Sequence, residues 1–256
     1  MKTLLLTLIS VLTLNSYAQN VNIPDANFKA YLVGNASINT NLDAEIQVSE
    51  ATAFGGTIDC GGQSISDLTG IEAFTALNHL DFDNNQLTSL DVTQNTALTE
   101  LYCADNQLTS LDVTQNTGLI WLGCSNNQIT SLDLSQNTAL TWFWCTDNQL
   151  TCLNLKNGNN TDLTVFSVTG NPNLTCIEVD DVAWSDANMA IKEDQMYYST
   201  SCNNACTVGL NELSNTPKQL LKIVDLMGRE TEYKPNTVLI YVFDDGSTEK
   251  VFKMED

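Results

Sequence analysis

Apolar and polar positions alternate along the middle of the chain in a phrase that keeps returning. Leu77-Asn-His-Leu80-Asp-Phe82-Asp-Asn-Asn85 is followed by Leu87-Thr-Ser-Leu90-Asp-Val92-Thr-Gln-Asn95, and the pair restarts at Leu98, Leu119 and Leu140, every 21 residues. In Leu-x-Leu the apolar side chains point one way and the x residues the other, which is the period of a short strand. Each following Asn turns the chain, and its amide can bond to the backbone of the next coil, so Asn85, Asn106, Asn127 and Asn148 are expected to stack as one ladder and Asn95, Asn116 and Asn137 as another. One coil cannot bury its own core, so stability has to come from stacking, and both ends need covers.

The flanks carry weaker versions of the pattern. Ile58-Asp-Cys60 with Ile65, Leu68 and Ile71 reads as an opening coil, and Leu163, Phe166, Val168, Asn171, Leu174, Ile177 and Val179 as a closing one. In front of these, Asp25 is placed to cap a helix running to about Val33, with Phe28, Tyr31 and Leu32 on one face. Behind them, the stretch from Val182 to Cys202, with Trp184, Met189, Tyr197 and Tyr198, is expected to close the rear. The repeated phrase resembles the leucine-rich-repeat family, whose consensus Leu-x-x-Leu-x-Leu-x-x-Asn-x-Leu is met across four tandem units. The expected fold is therefore a β-rich leucine-rich-repeat solenoid of about six coils of about 21 residues with a helical N-terminal cap, and the resemblance implies a recognition function.

Charge and the two chain ends add to this picture. Of the 256 residues, 31 are Asp or Glu and 10 are Lys or Arg, and the net charge is −21. Residues 19–208 hold 22 acids against Lys29, Lys156 and Lys192, whereas residues 209–256 hold nine acids against six bases, which marks a boundary near Thr207. So acidic a main domain is repelled by nucleic acid and by anionic lipid. Residues 1–18 read as a secretory leader: Lys2, an apolar run from Leu4 to Leu14, and Ser16-Tyr17-Ala18 before the cut. That run is too short to span a bilayer, and no later segment is apolar for long enough. The expected divisions are the leader (1–18), an N-terminal cap (19–57), the solenoid (58–181), a C-terminal cap and linker (182–208), and a small C-terminal β-sandwich (209–256). In the last of these, the elements Lys222-Ile-Val-Asp-Leu-Met-Gly228-Arg229-Glu, Pro235, Tyr241 and Lys250-Val-Phe-Lys253 are similar to the C-terminal sorting domains of the type IX secretion system of Bacteroidota. Pro235-Asn-Thr237 stands where that family commonly has Pro-x-Gly. The resemblance implies export by that machinery to the medium or the outer cell surface.

The eight cysteines divide by position. Cys60, Cys103, Cys124 and Cys145 occupy inward sites equivalent to Phe82 and act as small core residues. Cys152, Cys176, Cys202 and Cys206 are outward or terminal, and the leader implies an oxidising compartment where disulfides persist. Cys152 and Cys176 sit at equivalent sites of adjacent coils, about 4.8 Å apart, which makes them the first expected pair; the rival joins Cys176 to Cys202. Asn39-x-Asn41-x-Asp43-Ala44-Glu45-Ile46-x-x-Ser49-Glu50 resembles an EF-hand loop, so Asn39, Asn41, Asp43, Glu45 and Glu50 are candidate calcium ligands. A plain turn from the front cap into the first coil is the competing reading. Asp91, Asp112 and Asp133 form an outward ladder that Ser and Thr hydroxyls alongside can stabilise.

No catalytic site is legible. The chain has one histidine, His79, which reads as incidental, and no Ser or Cys stands in a nucleophile motif. The opposite side of the coil is more informative. Its outward positions run His79 and Asp81, Glu100 and Tyr102, Trp121 and Gly123, Trp142 and Trp144, so acids give way to an aromatic cluster. Tyr102, Trp121, Trp142 and Trp144, with Asp81 and Glu100, are therefore the candidate ligand-binding residues, suited to a protein or a carbohydrate ligand. The alternatives are a polysaccharide-active enzyme, since parallel β-helix enzymes also place acids on stacked strands, and a structural surface-layer component.

Overall fold

The computed structural model describes residues 19–189, 193–202, 206, 220–224, 231, 238–243 and 248–252. The leader lies outside them. The chain divides into two compact units, residues 1–209 and 210–256.

The first unit is a parallel β-solenoid of about seven turns. One side carries a six-stranded sheet, called here the A sheet: β1 (Thr57–Asp59), β2 (His79–Asp81), β3 (Glu100–Tyr102), β4 (Trp121–Gly123), β6 (Trp142–Trp144) and β8 (Val165–Ser167), in that order. The other side, the B sheet, has four: β5 (Ser131–Asp133), β7 (Cys152–Asn154), β9 (Cys176–Glu178) and β10 (Tyr197–Ser199). About six coils were expected; the additional turn comes from β10, a strand of the rear cover that pairs with β9 without carrying the Leu/Asn phrase. Its inward residue, Tyr198, is buried and its hydroxyl donates to the carbonyl of Met189, so the rear is closed by one more strand and by helix α3 (Val182–Asn188).

Period-two alternation puts Leu80, Leu101, Leu122, Phe143 and Phe166 in one inward column and Phe82, Cys103, Cys124, Cys145 and Val168 in the next, and all are buried. The Asn ladder is present and more extensively bonded than a turn would need. Asn85 Nδ2 donates to the carbonyls of Cys60 and Phe82 (3.0 and 2.9 Å), while its Oδ1 accepts from the N–H of Ile65 (2.9 Å). Asn106, Asn127, Asn148 and Asn171 repeat that arrangement one coil further on each time. The residue before each ladder member bends the chain with a positive φ: Asn84 (57°), Asp105 (54°), Asn126 (54°) and Asp147 (53°). Asn and Asp tolerate that left-handed conformation better than other residues with a Cβ. In the closing coil Gly170 (φ 75°) takes the place.

At the front, Asp25 caps α1 (Ala26–Gly34) by accepting from the N–H groups of Asn27 and Phe28, and Phe28 and Leu32 enter the core. A second short helix, α2 (Val48–Ala53), follows. In the second unit the described residues form a three-stranded antiparallel sheet of β11 (Leu220–Val224), β12 (Val238–Phe243) and β13 (Thr248–Phe252). The expected second layer of a sandwich is not among them. No helix among the described residues is long and apolar enough to cross a membrane.

Candidate functional site

Parallel register fixes what stands beside what on the outer face of the A sheet. In one row His79, Glu100, Trp121, Trp142 and Val165 are successive neighbours; in the other, Asp59, Asp81, Tyr102, Gly123, Trp144 and Ser167. The rings meet. Trp121 stacks on Trp142 (centroids 5.5 Å apart, 29° between planes), Trp142 lies 4.3 Å from Trp144, and Tyr102 presents its edge to both Trp121 and Trp142 at 6.4 Å. Gly123 gives the rings room: a Cβ there would stand 3.3 Å from Cδ1 of Tyr102, a tight contact, and 4.0 Å from Cζ3 of Trp142. Mutual packing does not hide the cluster: Trp121 is 42% exposed and Trp144 45%. Each leaves roughly 100 Å² of ring in water, so covering them contributes on the order of 2 kcal/mol apiece to a complex.

The polar end of the face is built around Glu100. One of its carboxylate oxygens lies 2.9 Å from Nδ1 of His79 and accepts from the Tyr102 hydroxyl (3.4 Å), and the His79 and Tyr102 rings lie 5.4 Å apart. His79 is thus no incidental residue: it ties the acidic rows to the aromatic ones, a contact that in-register stacking of the 21-residue units already implies. Burial, with the Glu100 charge beside it, pushes the Tyr102 hydroxyl up to about 12.

Asp83 stands two residues beyond Asp81. Its carboxylate accepts from the Ala104 N–H (2.6 Å). Burial, opposed by that bond and helped by Asp81, Asp105 and Asp59, raises its pKa to about 6 from an ordinary 3.8. The folded protein therefore holds this proton more tightly than the unfolded chain does, so ionised Asp83 costs stability above pH 6, and the cost vanishes as pH falls through the folded value towards the unfolded one. Asp83→Asn, which can keep the bond to Ala104, should raise the melting temperature at pH 7.5, with the gain shrinking progressively towards pH 4. An equal gain at both ends of that range in calorimetry would show that the Asp83 charge is not the cause.

The candidate calcium ligands in residues 39–50 are engaged with protein groups. Glu50, the expected bidentate ligand, spends both oxygens on donors: the N–H groups of Thr40, Asn41 and Gln47 and the Thr40 hydroxyl, at 2.7 to 3.1 Å. Burial pushes its pKa up, but those donors outweigh it and hold the carboxyl below its ordinary range. Asp43 accepts from the Glu45 N–H and from the Asn41 and Gln47 amides, Asn39 donates to the carbonyls of Val33 and Asp43, and Glu45 pairs with Lys29 at 2.7 Å. Among the described residues no group of three or more His, Cys, Asp or Glu is placed to hold a metal ion. Gln47 and Glu50 form a capping box on α2. On the B side, Oδ1 of Asp91 and of Asp112 each accepts from the N–H and hydroxyl of the Thr two residues on, and Asp133 from the Ser135 N–H and the Asn154 amide.

The disulfides overturn the first expectation. Cys152 pairs with Cys206 and Cys176 with Cys202, not Cys152 with Cys176, so the pairing weighed second for Cys176 is the one found. Cys152 and Cys176 do sit on neighbouring strands, aligned through Leu153 and Ile177. Neighbouring side chains on parallel strands run side by side, however, keeping their Cβ atoms near the strand spacing and beyond the roughly 3.8 Å typical of a disulfide. The chain returning after β10 supplies both partners instead. Cys60, Cys103, Cys124 and Cys145 are free and buried. Burial, with Asp81 and Asp59 nearby, pushes the Cys60 thiol up to about 12, and burial raises Cys103 well above its ordinary value.

No protein-family model matches the sequence, and no curated protein matches it. Solved structures do. The functional domain of InlJ from Listeria monocytogenes, described as including a cysteine ladder, is 36% identical with a TM-score of 0.52, over 63% of this chain and 38% of that one. This chain folds as a leucine-rich-repeat solenoid. In this chain Cys103, Cys124 and Cys145 form a buried column at 21-residue spacing. Two further internalins from Listeria monocytogenes strain 4b F2365 also match. InlF is 17% identical, over 73% of this chain and 72% of that one, with a TM-score of 0.43; internalin C2 is 20% identical, over 72% and 92%, with a TM-score of 0.42. This chain spans about two fifths of the InlJ domain's length.

Proposed function

We propose that this is an exported recognition protein, released or held at the outer cell surface, that binds a protein ligand through the aromatic face of its A sheet. The exposure of Trp121 and Trp144 beside Tyr102 and Trp142 carries the reading. Large rings left in water on a rigid scaffold, bordered by carboxylates, are the usual make-up of a binding hot spot, and the likeness to an internalin fits it. The two disulfides fit an oxidising compartment, and the C-terminal residues similar to type IX sorting domains supply the route. Recognition is favoured over catalysis because no Ser or Cys stands in a nucleophile motif, and the Cys60 and Cys103 thiols are buried and held protonated. A carbohydrate ligand is the second reading, since flat indole faces also stack on sugar rings.

The test is a panel of extracellular proteins and glycans probed with the full chain and with Trp121→Ala/Trp142→Ala/Trp144→Ala. Loss of binding by tenfold or more, with circular dichroism and melting close to wild type, is expected. Unchanged binding by the folded triple variant would remove this face from consideration.

A further inference from the structure

From the distribution of charge around the exposed rings we infer that the partner is a basic polypeptide segment, one that places an arginine on Asp81, Asp83 and Glu100 and a large apolar side chain on Trp121 and Trp144. This inference rests on the recognition reading above and narrows it.

Three observations carry it. The first is the order of residues across the face: acids on β1 to β3, rings on β3 to β6, set by the strand register. A ligand covering Trp144 and reaching Asp81 crosses three strand spacings, about 14 Å, which an extended segment of four or five residues spans.

The second is that no described lysine or arginine pairs with these acids. Between Lys29 and Lys156 there is no lysine or arginine, while fourteen Asp and Glu occur. Among the described residues the one Lys or Arg paired with a carboxylate is Lys29, away on the front cap, and on the face itself only His79 approaches one. A neutral or acidic partner docking on the rings would strip water from Asp81 and Glu100 without replacing it, whereas a cation repays that desolvation.

The third is ring geometry. With centroids at 5.5 and 4.3 Å the indoles pack against one another and leave no slot for a cation to enter between them. What they offer is a continuous surface for a large apolar side chain, and the cation belongs on the carboxylates beside it, where a guanidinium fork can bind bidentately and a lysine ammonium cannot.

Panning a random twelve-residue peptide library on phage against the full chain tests this. Enriched peptides should pair arginine with an aromatic or large aliphatic residue within about five positions. Their affinity should fall about tenfold between low and high salt, and about tenfold again for either Asp81→Asn/Asp83→Asn/Glu100→Gln or Trp121→Ser/Trp144→Ser. If a multiple variant unfolds, Asp81→Asn and Trp144→Ser singly give the same reading at smaller amplitude. Enriched peptides that are apolar without basic residues, lost on the Trp variant and kept on the acid variant, would overturn the basic partner and leave the recognition face standing. Peptides that bind both variants as well as wild type would overturn both. Absence of any enrichment would also overturn the basic peptide, and Trp-dependent binding on the glycan panel would then reassign the face to a sugar.

Discussion

Asn127→Ala is expected to cost on the order of 3 to 5 kcal/mol, more than any surface change in the solenoid. Asn127 is buried; its Nδ2 donates to the carbonyls of Cys103, Cys124 and Ser125 at 2.9 to 3.1 Å, and its Oδ1 accepts from the Leu108 N–H at 2.9 Å. Alanine leaves the Leu108 N–H and the Cys103 carbonyl buried without that partner, and each such orphan costs about 1 to 3 kcal/mol. The second ladder supplies an internal control. Asn116 Nδ2 donates to the carbonyls of Val92 and Asn95, but its Oδ1 is buried with no partner. Asn116→Ala therefore removes a pre-existing penalty along with two bonds and should cost less than Asn127→Ala. Gln128→Ala, one residue away and exposed, should fall within about 0.5 kcal/mol of wild type. Guanidinium unfolding followed by circular dichroism ranks the three. A cost below 1 kcal/mol for Asn127→Ala would mean that the ladder is incidental to the stack. Because stability in a solenoid is shared between neighbours, a break at this central coil should also lower the steepness of the transition.

How far the sequence could be read depended on the period. Where the 21-residue phrase runs, each residue's face and its neighbours in adjacent coils follow from counting, so Trp121 beside Trp142, Tyr102 beside Gly123 and the buried cysteine column were all legible before any coordinates. Where the phrase stops, local pattern left more than one reading open. Glu50 at position twelve of a loop suggested a calcium ligand; the same spacing from Gln47, three residues earlier, was the signal for a helix cap, and the four donors on Glu50 bear that out. The strand at Tyr197–Ser199 was hidden because a covering strand needs only one inward apolar residue, here Tyr198, and no Leu/Asn phrase. The disulfide pairing was hidden for a related reason. It depends on the path of residues 180–206, which no repeat constrains, whereas the pair suggested by counting asks two side-by-side residues to converge.

Replacing Cys152 and Cys206 together by alanine is expected to lower stability by about 4 kcal/mol, the loop-closure entropy of a cross-link spanning 54 residues, and the melting temperature by about 10 °C. The Cys176–Cys202 link, with a separation of 26, lies inside the first and should contribute about 3.5 kcal/mol by itself. Together they hold the rear cover on the open end of the core, where Phe166, Val168, Ile177 and Val179 would otherwise meet water. Residues 153–205 lie within the larger covalent loop, and Cys206 stands four residues before the second unit begins at Leu210. Reduction should act like the substitutions, and limited proteolysis should then cut first between residues 180 and 206. Peptide mapping without reductant should recover Cys152 joined to Cys206 and Cys176 to Cys202. Recovery of Cys152 joined to Cys176, or a melting temperature indifferent to reductant, would discard this account of the rear cover.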